Sequence, residues 1–222
     1  MTDIIQKVAA LVDTFKASAD CELEGSLGTI QPTNFVTGVD FTHFEQLHKT
    51  FAARTELGES ADIWRTTNTG SHYLLCYYND DIRGQYVPGQ PPVFTRKKRI
   101  HKLDITCSER PYDLRINLKR EESVADYIVR DPPLYVRFVE RWSFIYKQRW
   151  RYDFSKTVSG KTKEQASRAA PVLEIELELL PNNNFVQDTS SIDIARHIVE
   201  KLTDLLGRFQ GGHKETLSLS LP

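Results

Sequence analysis

Between residues 172 and 179 the chain reads Val-Leu-Glu-Ile-Glu-Leu-Glu-Leu, a strict alternation of aliphatic side chains with Glu174, Glu176 and Glu178. That period of two belongs to a β-strand with one apolar and one acidic face. A row of carboxylates on one face repels itself and raises its own pKa values unless cations or basic side chains neutralise it. The segment Cys21-Glu22-Leu23-Glu24-Gly25-Ser26-Leu27-Gly28 repeats the pattern near the start and is read as a short strand closed by its glycines. Two acidic strands far apart in sequence therefore need a shared partner of opposite charge.

The formal net charge of −1 hides that partner, because the charges are segregated. Arg96 to Arg99 and Arg137 to Arg151 are basic, whereas Glu174 to Glu178 is acidic. With 222 residues, 40 % hydrophobic and 27 % charged, and no Pro/Gly/Ser-rich linker, the chain is expected to form one domain with a buried core. Cys21, Cys76 and Cys107 lack metal-finger spacing and are expected to be reduced thiols inside a cell. No secretory leader pattern occupies residues 1–19 and no apolar run is long enough to span a bilayer, so no membrane partner is expected.

Helical spacing of Ile4, Ile5, Val8, Leu11, Val12 and Phe15 predicts an opening helix over about 3–18, with Thr2 or Asp3 as N-cap. A second helix is expected from Phe41 to Leu57, capped by Asp40 or Thr42, with Phe44, Leu47, Phe51 and Leu57 inward and His43 and His48 at the surface. Strands are expected at Ile63–Thr67 and Ser71–Tyr78 around a turn at Asn68-Thr69-Gly70, with a further turn at Asn79-Asp80-Asp81 and a proline-rich loop from Pro88 to Pro92. Further strands follow at Val93–Leu103, Tyr112–Lys119, Tyr135–Phe144 and Gln148–Ser155, and a short helix at Ser123–Ile128 ends before Asp131-Pro132-Pro133. The last helix covers about 191–209 and is closed by Gly211 or Gly212.

On a strand, residues two apart share a face. Glu22, Glu24 and Ser26 do so, as do Lys97 and Arg99, then Arg115, Asn117, Lys119 and Glu121, then Arg137, Arg141 and Ser143, and finally Glu174, Glu176 and Glu178. Either a two-sided sheet turns these charges to water, or an antiparallel sheet closes into a barrel with a charged lumen and apolar side chains outside, under helices. A lumen with an acidic floor and basic walls suits a polyanion with a hard divalent cation, the setting for metal-assisted phosphoryl transfer to water.

Together these motifs resemble the metal-dependent, tunnel-fold RNA 5′-triphosphatases of fungal, protozoal and viral mRNA capping, within the wider triphosphate tunnel metalloenzymes. The resemblance runs from Cys21 to Leu179 and rests on Glu22-Leu23-Glu24 paired with Glu174-Ile175-Glu176-Leu177-Glu178. Between them, Tyr112-Asp113-Leu114-Arg115-Ile116-Asn117 with Glu121, Arg141-Trp142-Ser143-Phe144 and Tyr152-Asp153-Phe154-Ser155-Lys156-Thr157 stand in the family's order. It implies a β-rich α+β fold, a closed antiparallel barrel flanked by helices. It also implies removal of the γ-phosphate from triphosphate-ended RNA with Mg²⁺ or Mn²⁺. Glu22, Glu24 and Glu178 resemble the metal ligands. Glu176 and Asp153 resemble the acids that hold water. Arg99, Arg115, Arg137, Arg141 and Lys97, or its neighbour Lys98, resemble the phosphate-binding cations, with Glu121 and Ser155 in support.

Two positions depart from the family's pattern. Ser26 stands where a basic residue is usual, and Val139 stands where a lysine normally reaches the transferred phosphate. Lys147, Arg149 or Arg151 is expected to replace that lysine if the strand stays in phase; otherwise the contact is absent. No Lys-x-Asp-Gly motif is present, so capping would need a separate guanylyltransferase, in the nucleus or, for a viral protein, the cytoplasm. The alternatives are a hydrolase of inorganic triphosphate, polyphosphate or nucleotides on the same fold, and a non-catalytic barrel serving as a scaffold.

Overall fold

The alternating segments close on themselves. In a computed structural model, which describes residues 2–56, 63–181, 183–207 and 219–220, the elements in chain order are α1 (Thr2–Lys16), β1 (Cys21–Ile30), β2 (Phe35–Thr37), α2 (Phe41–Glu56), β3 (Trp64–Tyr77), β4 (Ile82–Tyr86) and β5 (Val93–Cys107). They continue with β6 (Asp113–Ser123), β7 (Tyr135–Tyr146), β8 (Trp150–Gly160), α3 (Lys163–Arg168), β9 (Val172–Leu179), α4 (Asn184–Asp188), α5 (Ser191–Leu205) and β10 (Leu219–Ser220). Hydrogen bonding runs β5-β4-β3-β7-β8-β9-β1, and β6 joins β1 back to β5, so that eight antiparallel strands form a closed barrel. β2 extends β1, and β10 pairs with the end of β5.

Parity then places the core outside the barrel. Leu23 and Leu27 of β1, Leu114, Ile116 and Leu118 of β6, and Ile175, Leu177 and Leu179 of β9 are fully buried and pack with Val8 and Val12 of α1 and Ile198 and Leu202 of α5. Burying such aliphatic side chains contributes about 1.5–3 kcal/mol each, which holds the helices against the wall. Gly25 lets α5 come close: a Cβ there would stand 2.5 Å from Leu202 Cδ1. Under α2, Phe44 and Phe51 meet Phe144, Tyr152 and Phe154 edge-on or tilted.

Several expectations are corrected. β3 is one strand, not a hairpin: Asn68-Thr69-Gly70 is absorbed by two register shifts against β7, with Gly70 at φ 103°. No helix forms over residues 123–128, where Val124 and Tyr127 pack instead against Phe94 and Tyr78. The helix α1 already includes Thr2 and Asp3, so neither stands outside it as a cap. Asp40, by contrast, caps α2 by accepting from His43 N–H at 2.9 Å. His43 and His48 are not surface side chains. His43 Nε2 lies 2.8 Å from Leu205 O, and the His48 ring is wedged among Phe44, Trp142, Phe144 and Phe154. The strands run beyond their expected ends to Ile30, Cys107, Ser123, Tyr146 and Gly160, because ladder pairing continues where the alternation fades. α5 ends at Leu205, followed by Gly207 at φ 82°; Leu57, Arg208, Gly211 and Gly212 lie outside the described residues. Cys21, Cys76 and Cys107 are buried free thiols.

Candidate active site

The lumen is assembled by cross-strand pairing. Glu24 is opposite Glu178 and Ser26 opposite Glu176 between β1 and β9. Glu176 and Glu178 in turn face Asp153 and Arg151 across β9 and β8, while Ser143 and Arg141 of β7 face Asp153 and Ser155. Glu24, Arg83, Lys97, Arg99, Lys119, Arg137, Val139, Arg141, Arg151, Asp153, Glu174, Glu176 and Glu178 all line one cavity of about 440 Å³ inside the barrel. Sequence parity therefore selects Lys97 rather than Lys98.

Within this cavity acids and bases neutralise each other. Arg141 is divided among three acceptors: Ser155 Oγ at 2.9 Å, Asp153 Oδ2 at 3.1 Å and Glu176 Oε2 at 3.4 Å. Asp153 also accepts from Ser143 Oγ at 2.6 Å and Arg151 Nε at 3.1 Å, and Arg151 reaches on to Glu178. Arg137 holds Glu174 at 2.5 Å, with Thr157 Oγ1 donating to the same oxygen at 2.9 Å. Lys97 contacts Glu22 and Glu121, and Lys119 contacts Glu24. Glu121 holds Lys97 rather than Arg99, Arg115 or Arg141, and also grips a residue that parity alone had not singled out: Arg83, at 3.0 and 3.2 Å.

The electrostatics split neighbours on β9. Burial raises Glu178, and Glu22, Asp153 and Glu24 add to the effect, so that despite Arg151 its carboxyl is pushed up to about 7. Glu176 is equally desolvated, yet Arg141, Lys119, Lys97 and Arg137 outweigh burial and hold it below the usual carboxylate range. Burial likewise raises Glu174 against the pull of Arg137. For Lys97, burial is overcome by Glu24 and Glu22, which keep it charged. The two carboxylates, two residues apart on one strand, are thus driven in opposite directions by their surroundings, as they would not be on a solvated face.

Arg115 is not brought into that cavity. Its Nε and Nη2 donate to both oxygens of Asp104 at 2.6 and 2.8 Å, and its guanidinium lies 4.6 Å from the Phe35 ring centroid. The cause is a register shift between Arg99 and His101 in β5, which reverses the strand's parity and turns Asp104 to the face of Arg115. Arg99 stands on the near side of that shift, on the cavity wall but largely exposed. Of the three residues considered in place of the missing lysine, only Arg151 lies in the lumen. Lys147 and Arg149 sit on the β7–β8 turn over the rings of Tyr146 and Phe185. Val139 itself faces inward, opposite Tyr73 and Thr157, with Arg151 paired six residues away opposite Ile145.

Residues 85–209 match the family described as mRNA capping enzyme, beta chain. The chain belongs to this capping-enzyme family. Its barrel is also similar in fold to the S. pombe Pct1 RNA triphosphatase, with a TM-score of 0.72 at 15 % identity over 94 % of this chain and 93 % of that one. The same S. pombe protein solved in complex with the Spt5 CTD gives a TM-score of 0.73 at 14 % identity, covering 94 % and 92 %. The Mimivirus capping enzyme triphosphatase gives a TM-score of 0.64 at 12 % identity, covering 94 % and 99 %. None of the curated protein sequences matches. Among the described residues of this capping-family chain, no helix is long and apolar enough to cross a membrane.

Proposed function

We propose that this chain hydrolyses the γ-phosphate of 5′-triphosphate-ended RNA, the first step of mRNA capping, with a divalent cation. The observation that supports this most directly is the opposition, inside one closed ring, of a Glu24–Glu178 pair and a cluster of inward arginines and lysines. The donor set of Glu22, Glu24 and Glu178 is all oxygen and suits Mg²⁺ or Mn²⁺. Among the described residues no three acidic side chains converge as a metal cluster, and Lys97, Lys119 and Arg151 are paired with these glutamates instead. Glu178 is raised by burial first and then by Glu22, Asp153 and Glu24, charge that a bound cation would help to neutralise. When bound, the ion would neutralise charge on the triphosphate.

The chain's own residues do the rest. Arg137, Arg141, Lys97 and Arg99, joined by Arg83, bind the phosphate oxygens. Arg141 suits the group being transferred because its three hydrogen bonds are shared and exchangeable. Glu176, kept ionised, and Asp153 orient a water in line with the γ-phosphorus. As the water oxygen bonds to phosphorus, the bond to the β–γ bridging oxygen breaks and its electron pair leaves on the diphosphate end. The water's proton passes to a carboxylate or to the phosphate released. A loose transition state needs orientation of the water more than a strong base. Ser155 and Glu121 hold Arg141 and Lys97 in place, and Arg115 serves the wall. The diphosphate end would pass to a separate guanylyltransferase, in the nucleus or in a viral cytoplasmic setting.

The test is phosphate release from γ-labelled triphosphate-ended RNA, with and without Mg²⁺ or Mn²⁺, beside ATP and inorganic triphosphate. Release from RNA that requires the metal and disappears in Glu24→Gln and Glu178→Gln is expected. Cleavage of inorganic triphosphate with none of RNA would replace this reading by the small-molecule one.

A further inference from the structure

A second pocket lies on the outer surface of the same wall. It offers about 550 Å³ between α2, α5 and the ends of β3, β7 and β8, lined by Thr50, Arg54, Trp64, Tyr146, Lys201 and Asp204 among others. Two of its lining cations, Arg54 and Lys201, and Lys147 on the neighbouring β7–β8 turn lie against aromatic rings. Lys201 Nζ is 4.7 Å from the Tyr146 centroid and 5.4 Å from that of Trp150, Lys147 Nζ is 5.2 Å from Tyr146, and the Arg54 guanidinium is 5.4 Å from Trp64. Among the described residues no carboxylate lies within 4.0 Å of any of the three. The Lys201 ammonium is lowered by burial first, with Lys147 and Arg54 adding to it and Asp204 and Glu200 opposing it. This pocket carries an excess of positive charge over its carboxylates, unlike the ion-paired lumen.

Its position says what it is for. Tyr146 and Trp150 pair at the end of the β7–β8 hairpin, and one step inward Ile145 faces Arg151, which lines the lumen. The wall is one strand thick, so a chain leaving the lumen past Arg151 reaches Tyr146 and Lys147 on turning over the rim. Basic residues interleaved with aromatic rings are the surface that single-stranded nucleic acid takes. Asp204 in the lining, with Glu200 near Lys201, disfavours a purely acidic peptide, and Asp204 can accept hydrogen bonds from base N–H or ribose hydroxyl groups. We propose that this pocket binds the first nucleotides of the RNA behind its triphosphate, a proposal that rests on the triphosphatase reading and assigns the chain its RNA preference.

The experiment compares the wild-type protein with Arg54→Gln/Lys147→Asn/Lys201→Gln, and with the single variant Lys147→Asn on the exposed turn in case the triple variant fails to fold. Binding of a fluorescent single-stranded RNA with a 5′-hydroxyl end is followed by anisotropy across a salt series, beside turnover of triphosphate-ended RNA and inorganic triphosphate. The expected result is a KM for RNA raised about tenfold in the triple variant, as for the loss of one or two net contacts, with inorganic triphosphate turnover unchanged. The slope of log affinity against log salt should fall by about 0.7 per cation removed. Unchanged RNA affinity, an equal loss with inorganic triphosphate, or RNA-independent capture of a phosphopeptide would each overturn the proposal. If wild-type protein binds the hydroxyl-ended RNA through this pocket yet cleaves no triphosphate RNA, the pocket stands and the triphosphatase reading falls.

Discussion

Arg141 and Arg115 both project inward from barrel strands, and both were expected to hold phosphate, but they keep different company. Arg115 gives both ends of its fork to one carboxylate, Asp104, beneath the Phe35 ring. Arg141 spreads three longer bonds over Ser155, Asp153 and Glu176. A closed bidentate pair commits the Nε–Nη2 edge of the fork to one carboxylate, leaves only the outer N–H groups over, and would strip a part-buried carboxylate of its main partner if it opened. A shared arginine can exchange one acceptor for a phosphate oxygen and keep the others. Parity selects which arginines face inward; the partner decides which of them is available for chemistry.

The largest effect should come from breaking the shared side. Arg141→Ala is expected to lower kcat about 100- to 1,000-fold, the scale of losing a donor to a developing anionic centre, while the thermal midpoint changes little. Arg141→Lys should recover only part, since an ammonium cannot reproduce the fork. Steady-state phosphate release beside a melting curve checks both, and full recovery with lysine would reduce Arg141 to a point charge.

The converse holds for the closed pair. Arg115→Ala should cost about 1.5 kcal/mol of stability, because the part-buried Asp104 loses its bidentate partner and keeps only Lys102 at 3.9 Å, and the folded fraction should keep its activity within a few-fold. Asp104→Leu in the same chain should restore much of the loss. Denaturant unfolding of the single and double variants measures the coupling, and a large fall in kcat without loss of stability would return Arg115 to the substrate site.

A third change sharpens the comparison by adding a base. Val139 is 4 % exposed between Arg137 and Arg141, facing Tyr73 and Thr157, and Arg151 lies too far along β8 to act in its place. Val139→Lys is therefore expected to raise kcat toward triphosphate RNA by about tenfold, the worth of one charge-assisted contact. Unchanged or lower turnover in single-turnover assays would mean that Arg83 or Arg137 already serves that oxygen.

Much of this architecture was legible because a strand's period is short. The glutamates of β1 and β9 sit on the face their alternation requires, and the same rule chose Lys97 over Lys98. It failed wherever a single extra residue entered. The shift at Arg99–His101 hid the Asp104–Arg115 pair, and the irregularities around Gly70 made one long strand look like a hairpin. Arg83 was missed for another reason: β4 is only five residues long and offers no alternation to read. His48 sits at helical spacing that gives no sign of the ring cluster formed by residues nearly a hundred positions away.

The smallest effect is a pH dependence confined to the closed pair. Hydrogen bonds from Arg115 outweigh burial and hold Asp104 below the ordinary carboxylate value. Its contribution is then fully present above the unfolded pKa of about 4 and is lost as pH falls through the lower folded value. Arg115→Met removes the depression, so unfolding free energy measured from pH 5 downward should fall less steeply than in wild type. An identical slope would show that other carboxylates carry the acid sensitivity.

The ring of eight strands has no seam, since β6 joins β1 to β5 and closes the wall. Whatever reaches Glu24 and Glu178 must enter along the axis, which a small triphosphate can do whole and a polymer only by a free terminus. The barrel is thus a topological filter as well as a chemical one: a circular RNA, or a phosphodiester in mid-chain, is excluded whatever its charge. Discrimination of chain ends from chain interiors is built into the closure, before any side chain touches phosphate.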